Sequence, residues 1–343
     1  MHAAVLLEPG RFEIRDRPRP SPGADEVLVA IREVGICGSD VHYYEHGRIG
    51  DYVVEEPLVL GHESAGEVVA VGDAVDSHAV GDRVALEPGV PCRRCARCSR
   101  GEYHLCPDVR FMATPPHDGA LAEYVAWPAD FAYALPDAVS TTAGALCEPL
   151  SVGIHVARRG AVSTGDTVLV AGAGPIGLLA MAAARAAGAT DVIVADVVAE
   201  KLAFARERGA DRAVDVTETD LATAVAESTD GVGVDVAIEA SGAAASIESM
   251  PAVVRRGGTV VLVGLADEAT VSLDALALVD AEIDVRGSFR YSNTYPAAID
   301  LLADGAVDVE GLVDFAAPLT DVADAFERAG DPDVIKGMVS IAE

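Results

Sequence analysis

The sequence predicts an α/β protein of two domains. Three observations lead to that prediction: the chain length, a change of pattern near residue 150, and the alternation of elements after it. At 343 residues the chain is long enough for two domains. Before residue 150, short alternating segments broken by Pro and Gly predict the strands of a small β-barrel. After it, apolar runs of strand length alternate with helical runs, which predicts a parallel βαβ sheet.

The first domain contains five predicted strands followed by an irregular loop. The strands are 3–7, 12–15, 26–34, 64–71 and 83–86. Residues 87–118 have little periodicity and contain four of the six cysteines. We therefore expect this loop to be held by something other than an apolar core.

The second domain contains four predicted strands and two predicted helices. The strands are 167–171, 191–196, 234–239 and 259–263, and the helices are 177–187 and 199–208. Beyond residue 289 the pattern predicts two more amphipathic segments, 296–303 and 322–329, and a strand at 336–341.

The charge of the chain is strongly negative. Fifty-five acidic residues face 25 basic ones, for a net charge of −30, and Lys201 and Lys336 are the only lysines. We do not expect the protein to bind nucleic acid, because phosphate contacts need a basic surface. Self-repulsion of this size favours high salt. The composition therefore indicates a halophile's protein, with an acidic mesophile protein as the alternative.

The sequence also predicts where the protein works. No run of about 18 uncharged apolar residues occurs, and the N-terminus lacks the pattern of a secretion signal. We therefore expect a soluble cytoplasmic protein without a membrane partner. In such a protein, cysteines at short spacing indicate metal binding rather than disulfides.

A glycine-rich loop marks a dinucleotide site. Gly172, Gly174 and Gly177 lie between a predicted strand and a predicted helix, and Asp196 ends the next strand. The three glycines permit a tight turn, close approach of backbone to a pyrophosphate, and close helix packing. Asp196 is placed to accept hydrogen bonds from a ribose and to repel a 2′-phosphate, which predicts NAD rather than NADP. The alternative is a turn-forming glycine cluster with a surface acid.

Two sets of residues have the chemistry of zinc ligands. Cys92, Cys95, Cys98 and Cys106 are four thiolates at the spacing of a closed, structural site, with free thiols or a redox loop as the alternative. The second set is Cys37, His62, Glu63 and Glu148, whose mixed S, N and O atoms suit a catalytic zinc with one position left open. Taken alone, Cys37 has the character of a small buried hydrophobe, and His62 with Glu63 that of a surface pair. Cys147 is an additional candidate ligand.

Four motifs resemble those of a known enzyme family. They are Gly-Ile-Cys-Gly-Ser-Asp-Val-His around Cys37, Gly-His-Glu at 61–63, Cys-Glu-Pro-Leu-Ser-Val-Gly from Cys147 and Gly-Ala-Gly-Pro-Ile-Gly from Gly172. Their order and spacing are similar to those of the zinc-dependent medium-chain dehydrogenases. Three further stretches, 41–51, 111–116 and 287–294, resemble the sorbitol (polyol) dehydrogenases within that superfamily. The resemblance covers nearly the whole chain.

The resemblance implies a fold and an assembly. It implies a GroES-like β-barrel catalytic domain at 1–150 and a Rossmann domain, a doubly wound parallel sheet that binds NAD, at 151–287. It implies that residues 288–343 return to the first domain. It also implies a homotetramer.

The resemblance further implies roles for individual residues. Cys37, His62 and Glu63 fall on ligands of the catalytic zinc, and Glu148 either holds water at that zinc or approaches the metal itself. Ser39 and His42 fall on a hydroxyl–imidazole pair that relays a proton, with a simple loop histidine as the alternative for His42. The substrate-contacting positions are Tyr43, Phe111, Thr114, Glu148, Arg290 and Tyr291. The cofactor-contacting positions are Gly172, Gly174, Ile176, Gly177, Asp196, Lys201, Val263, Gly264, Leu265 and Phe289.

Together these implications predict an NAD-dependent enzyme that oxidises a polyol such as sorbitol or xylitol to a ketose, with two zinc ions per chain. Arg290 and Tyr291 suit hydroxyl groups better than the ammonium and carboxylate of threonine. The alternative is therefore a threonine dehydrogenase or another zinc-dependent alcohol dehydrogenase that uses NAD or NADP. A more distant alternative is a zinc-binding structural protein without turnover.

Overall fold

The chain forms two compact units in a computed structural model that describes residues 1–266 and 269–341. The first unit contains Met1–Glu148 together with the segment from Tyr295 onward, and the second contains Pro149–Thr294. None of the helices within the described ranges is long and apolar enough to cross a membrane.

The boundary between the second unit and the returning segment lies later than the sequence indicated. Residues 288–294, expected in the returning segment, group with the second unit. The Ser288 amide donates a hydrogen bond to the Leu262 carbonyl oxygen over 2.8 Å. The Arg158 guanidinium donates to the Asn293 carbonyl oxygen over 2.9 Å. These bonds tie the stretch to the parallel sheet and to a helix beside it.

The elements of the first part of the chain are mostly short strands. They are β1 (His2–Glu8), β2 (Arg11–Asp16), β3 (Glu26–Gly35), α1 (Gly38–His46), β4 (Arg48–Ile49), β5 (Tyr52–Val53), β6 (Leu58–Val59), β7 (Glu63–Val71), β8 (Arg83–Leu86), β9 (Gly89–Val90), β10 (Arg110–Phe111), β11 (Tyr124–Pro128), β12 (Ala132–Ala134) and α2 (Thr141–Ala145).

In the middle of the chain, strands and helices alternate. The elements are α3 (Cys147–Gly160), β13 (Thr167–Ala171), α4 (Pro175–Ala187), β14 (Asp191–Asp196), α5 (Ala199–Glu207), β15 (Arg212–Asp215), α6 (Leu221–Ser228), β16 (Val234–Glu239), α7 (Ala244–Val253), β17 (Val254–Leu262), α8 (Ala275–Ala281) and β18 (Asp284–Gly287). The returning segment contains α9 (Tyr295–Ala303), β19 (Val313–Pro318), α10 (Val322–Ala329) and β20 (Lys336–Ser340).

The first unit is built around β3. In the described part of the chain its main sheet has the order β12-β8-β7-β3-β20-β19, and β11 also pairs with β3. A smaller sheet has the order β2-β1-β6. Side chains from both sheets fill one apolar core, with Val5, Ile31, Leu60, Leu86 and Leu121 each fully buried. The returning strand β20 pairs antiparallel with β3, so residues from the two ends of the unit meet at the centre of the sheet.

The second unit is a parallel sheet with helices between its strands. Within the described ranges the strand order is β15-β14-β13-β16-β17-β18, and every pairing is parallel. The order reverses beside β13, which is the doubly wound arrangement that binds ligands outside the carboxyl ends of its strands. Leu169, Ile193, Ala237 and Val260 are buried in its core.

The predicted fold class is confirmed, and five segments have the bounds that the sequence indicated: β8, β13, β14, β16 and α10. The strand expected at 259–263 was wrong in its start, because β17 begins at Val254 directly after α7. Helices α1, α2, α3, α6, α7 and α8 were not predicted. The α7 sequence contains an internal proline, Pro251, and α1 is mainly polar and aromatic.

Candidate active site and metal centres

Cys37 lies at the amino end of α1 and is half-buried as its N-cap residue. The positive end of the helix dipole lies at this position. The Ser39 hydroxyl donates a hydrogen bond to the Cys37 sulfur over 3.3 Å. The Cys37 sulfur is therefore held at the amino end of the helix, where it can serve as a metal ligand.

His62 lies beside Cys37 and is oriented by an acid. Its Nδ1 is 3.2 Å from Oδ2 of Asp40, a residue of α1 that is almost fully buried. Burial alone would lower the pKa of His62, but the negative charges of Asp40 and the Cys37 thiolate raise it well above its ordinary value. A carboxylate on one ring nitrogen fixes the imidazole so that the other nitrogen is free for a metal.

Glu63 begins β7 and is 1% exposed. Lys336 Nζ donates to its Oε1 over 2.7 Å and lies 2.5 Å from its Oε2, which accepts no hydrogen bond. Burial would lower the pKa of Lys336, but the charge of Glu63 outweighs it and raises that pKa. Across the sheet, Gly35 leaves room for the carboxylate, since a Cβ there would overlap Glu63 Oε2.

These three residues form a group that fits a metal ion. The candidate ligand atoms of Cys37, His62 and Glu63 all lie within 4.8 Å of one another. The buried Glu63 Oε2, which accepts no hydrogen bond, and the mixed S, N and O donors suit zinc. Three protein ligands leave one position of a tetrahedral site for water or substrate.

Glu148 and Cys147 lie outside this group. Both are buried in the first unit, and the charge of Glu148 is close enough to act on Lys336. Burial raises the pKa of the Cys147 thiol. The structure therefore brings three of the four expected catalytic zinc ligands together and leaves the direct role of Glu148 a prediction.

The other expected residues of the first unit surround this group. Tyr43 is buried on α1, and Thr114 is half-buried. The Phe111 ring packs against the His62 imidazole with centroids 5.6 Å apart. Ser39 and His42 are three positions apart on α1, a spacing that puts side chains on one helix face. The His42 ring is 4.6 Å from that of His46.

The four clustered cysteines also come together. The sulfurs of Cys92, Cys95, Cys98 and Cys106 lie within 4.8 Å of one another. The Cys98 amide donates a hydrogen bond to the Cys95 sulfur, and this bond is the largest of several that together lower the pKa of Cys95 to about 7. Four sulfurs in one group suit a closed structural zinc site. Strands β9 and β10 flank this loop, and β10 ends at Phe111, the residue that packs against His62.

The glycine loop has the geometry that the sequence predicted. It joins β13 to α4, with Gly172 at φ 105°. A Cβ on Gly177 would overlap the Gly172 carbonyl oxygen, whereas one on Gly174 would meet nothing within 4 Å. Gly177 therefore allows close helix packing, and the backbone at Gly174 faces open space.

Asp196 is held against this loop at the end of β14. Its Oδ2 accepts a hydrogen bond from the Ala173 amide over 2.5 Å, and its Oδ1 accepts from the amides of Val197 and Val198. A cavity of about 460 Å³ begins here and is lined by Gly172, Asp196, Asp220 and Ser241 among others. Its size and position suit the adenosine half of a dinucleotide.

The remaining expected residues of the second unit lie on several of its elements. Ile176 and Lys201 are half-buried on α4 and α5. Val263, Gly264 and Leu265 follow β17, with the first two amides bonded to the Glu239 carbonyl oxygen. The Arg290 guanidinium lies over the exposed Phe289 ring at 4.7 Å, and Tyr291 is buried.

Comparison with known proteins gives two family matches. Residues 23–137 match the alcohol dehydrogenase GroES-like domain, and residues 175–304 match the zinc-binding dehydrogenase family. A sorbitol dehydrogenase of Bacillus subtilis is 48% identical over 96% of this chain and 93% of its own length. The chain belongs to the zinc-dependent sorbitol (polyol) dehydrogenase family.

Further relatives of this dehydrogenase extend the comparison. A probable D-xylulose reductase A of Aspergillus terreus is 43% identical over 96% of each chain. The crystal structure of a putative zinc-binding dehydrogenase of Sinorhizobium meliloti, bound to NADP, is 33% identical with a TM-score of 0.92 over 99% of each chain.

Two residues of the dehydrogenase site were missed in the sequence. Asp40 stands three residues after Cys37, and this spacing was the available signal, because a helix begins between them. Lys336 was noted only as one of two lysines. Its partner Glu63 is distant in sequence, so no local pattern connects them.

A further buried acid, Glu87, belongs to the dehydrogenase's first unit. It accepts hydrogen bonds from the Tyr103 and Tyr133 hydroxyls over 2.7 and 2.9 Å. Burial raises the pKa of Glu87 to about 7, and these bonds offset only part of that rise. Tyr103 belongs to the loop of four cysteines, so Glu87 connects that loop to the sheet.

We expect Glu87→Gln to change how stability depends on pH. The folded-state pKa is raised from 4.5 to about 7. The stability contributed by the neutral carboxyl is therefore complete below its ordinary pKa and is lost as pH rises through about 7. Relative to the variant, the wild type should lose up to about 3 kcal/mol of unfolding free energy across this window. Denaturant unfolding of both proteins between about pH 5 and pH 8 measures the difference. Parallel profiles would contradict the assignment.

Proposed function

We propose that this protein oxidises a polyol to a ketose with NAD as hydride acceptor, using a zinc ion held by Cys37, His62 and Glu63. The observation that carries the proposal is this buried group of three mixed ligands, which leaves one metal position open. Two sorbitol dehydrogenases of the same family, 48% and 47% identical to this chain, support a polyol as the substrate.

The residues of the chain have distinct tasks in this reaction. Zinc, when bound, supplies a Lewis acid that makes an alcohol hydroxyl more acidic. Ser39 takes the hydroxyl proton and passes it to His42, one helical turn further along α1. NAD, which Gly172, Gly174 and Asp196 would hold, would supply the hydride acceptor when bound. Tyr43, Thr114 and Glu148 hydrogen-bond the polyol hydroxyls. Phe111 packs against the His62 ring.

Arg290 and Tyr291 are proposed as further polyol contacts. Their hydrogen-bonding groups match hydroxyls, and a site that pairs several hydroxyls strongly rejects alcohols that lack them. We expect kcat/KM for sorbitol or xylitol to exceed that for ethanol by at least about 100-fold.

The experiment that tests this function is a substrate panel followed by NADH absorbance. The panel contains sorbitol, xylitol, ribitol, arabitol, threonine and ethanol, with NAD and with NADP. Preference for threonine would replace the proposal with a threonine dehydrogenase. No turnover of any substrate by zinc-loaded protein would favour a structural zinc protein.

We propose that each chain holds two zinc ions. The second belongs to the four cysteine sulfurs, which offer no open position and therefore serve the fold. These thiols must be reduced to bind a metal, which supports a cytoplasmic location.

NAD is the proposed cofactor because Asp196 stands where a 2′-phosphate would lie. We expect Asp196→Ala to raise KM for NAD about 10-fold and to shift the NADP-to-NAD ratio of kcat/KM toward NADP by about 10- to 100-fold. The variant loses a ribose acceptor, a negative charge and the bond that holds the Ala173 amide. Steady-state kinetics with both cofactors measures the shift. Asp191→Ala, at the opposite end of β14, removes the same charge and should leave the ratio unchanged.

The acidic surface is proposed to be an adaptation to salt. With a net charge of −30, self-repulsion weakens as the Debye length shortens to about 3 Å at about 1 M salt. The substrate panel is therefore run at about 0.1 M and about 3 M KCl. If activity is retained equally over time at both salt concentrations, the acidic surface is not an adaptation to salt.

We also propose a homotetramer. Strand β18 is at the edge of the parallel sheet, and Leu276 and Val279 on the neighbouring α8 are 78% and 75% exposed. An open strand edge beside exposed apolar side chains is a typical subunit contact. Sedimentation velocity measures the stoichiometry.

A further inference from the structure

We propose that Lys336 is the resident cation of the catalytic centre, which neutralises and positions Glu63 when zinc is absent and competes with zinc for that carboxylate when it binds. The inference rests on the proposed function, because it takes Cys37, His62 and Glu63 as the zinc ligands. It assigns a positioning role to a residue of the returning segment that none of the motifs includes.

The contacts of Lys336 are the first argument. Its Nζ lies within 2.7 Å of both carboxylate oxygens of Glu63, so the ammonium contacts the whole carboxylate. It also donates to the Ile36 carbonyl oxygen over 2.9 Å, one residue before Cys37. The Ile36 amide in turn donates to Gly337. One side chain therefore touches one ligand and the backbone next to another.

Burial is the second argument. Lys336 is 3% exposed and Glu63 is 1% exposed. A charge in such a place needs a partner, because water cannot solvate it. Without a metal, Lys336 is the cation in contact with Glu63, so the ion pair gives each buried group a partner of opposite charge.

The charge of the site is the third argument. Cys37 and Glu63 belong to one group of candidate ligands, and Asp40 contacts its third member, His62. With Cys37 bound to a metal as thiolate, these three acidic groups would give three formal negative charges. Lys336 offsets one of them, and two remain for a divalent ion. A cation in direct contact with Glu63 also repels an incoming zinc ion. The side chain therefore stabilises the metal-free site and weakens metal binding by the same interaction.

The choice of residue is the fourth argument. The chain has 23 arginines and two lysines, yet this interior position holds a lysine. The carboxylate of Glu63 is packed against Gly35, where even one added carbon would overlap it. A compact ammonium with three donors fits this space, whereas a planar guanidinium needs a wider one.

The test compares wild type, Lys336→Met, Lys336→Arg and Ser340→Ala. Ser340 is on the same strand and bonds Glu33, so its variant controls for a lost polar contact of β20. Zinc is removed from the Cys37 site by dialysis against dipicolinate and titrated back at one fixed pH against a chromophoric chelator. Thermal unfolding of each protein is then measured with and without this zinc.

We expect Lys336→Met to bind zinc at least about 10-fold more tightly than wild type, because the competing cation is gone. The fall in Tm on zinc removal should be larger in this variant than in wild type. Ser340→Ala keeps the ion pair, so its zinc affinity should stay within about 3-fold of wild type. Lys336→Arg keeps the repelling charge in a wider group, so it should bind zinc no more tightly than wild type.

Other outcomes overturn the inference. If Lys336 only orients Glu63 as a hydrogen-bond donor, its loss should weaken zinc binding about 10- to 100-fold. An unchanged affinity would give the side chain a merely structural role. If wild type and Cys37→Ser bind the same amount of zinc, Cys37 is not a zinc ligand. The proposed function then fails, and the inference fails with it.

Failure of Lys336→Met to fold has its own test. The double variant Lys336→Met with Glu63→Gln removes both charges of the pair. Recovery of folded, metal-free protein would support the inference, since the single variant leaves a buried carboxylate without its cation. Failure of the double variant to recover would overturn it.

Discussion

Replacing Cys37 with Ser should reduce turnover by at least about 1,000-fold, because the substituted hydroxyl is a poor zinc ligand and the Lewis acid is lost. The Kd for NAD should change by less than about 2-fold, since the glycine loop and Asp196 belong to the second unit. Metal analysis should find one zinc ion fewer per chain than in wild type. Turnover, zinc content and NAD binding by fluorescence are measured on the same preparation.

Cys147→Ala is the matched control for that substitution. Cys147 is fully buried and lies outside the ligand group, so its variant should keep both the zinc content and the turnover per folded molecule. Loss of zinc from this variant, or full zinc and activity in Cys37→Ser, would reverse the ligand assignment.

Replacing Gly35 with Ala should be nearly as damaging, although Gly35 binds nothing. The added Cβ would overlap Glu63 Oε2 and lie 3.1 Å from its Cδ, so the carboxylate must leave its place. We expect a loss of at least about 100-fold in zinc affinity or turnover, the upper part of the range for groups that orient a ligand. Zinc titration and initial rates are the measurements.

Gly38→Ala separates this effect from a general effect of alanine near the site. A Cβ on Gly38 meets nothing within 4 Å, and the residue starts α1. This variant should retain zinc and most activity. Equal losses in the two variants would mean that the space beside Glu63 is not what Gly35 provides.

The parts of the fold that could be predicted from sequence are those whose pattern is local. Strand β14 is an apolar run ended by a polar residue, and α10 has one apolar face, so both were found with their observed bounds. Helix α1 has no such face. It forms at this place because Tyr43 and Tyr44 are buried against the rest of the unit, which depends on tertiary contacts.

The candidate site divides in the same way. The cysteine cluster and the glycine loop are continuous in sequence, and their residues came together as expected. Lys336 and Glu63 are far apart along the chain and meet only because β20 pairs with β3. Whether Glu148 belongs to the metal's ligands is also a question of side-chain distance, which spacing in the sequence does not determine.

The pairing of β20 with β3 has a consequence for biosynthesis. All three zinc ligands leave the ribosome early, but Lys336 follows only after Pro149–Thr294 has been made. At about 5–20 residues per second, that delay is on the order of ten seconds. During this time Glu63 lacks its lysine and the carboxyl end of β3 lacks its neighbour β20. The parallel-sheet unit is one continuous segment and is complete before Lys336 is made. We therefore expect the nascent cofactor-binding unit to fold first, and the catalytic centre to mature afterwards.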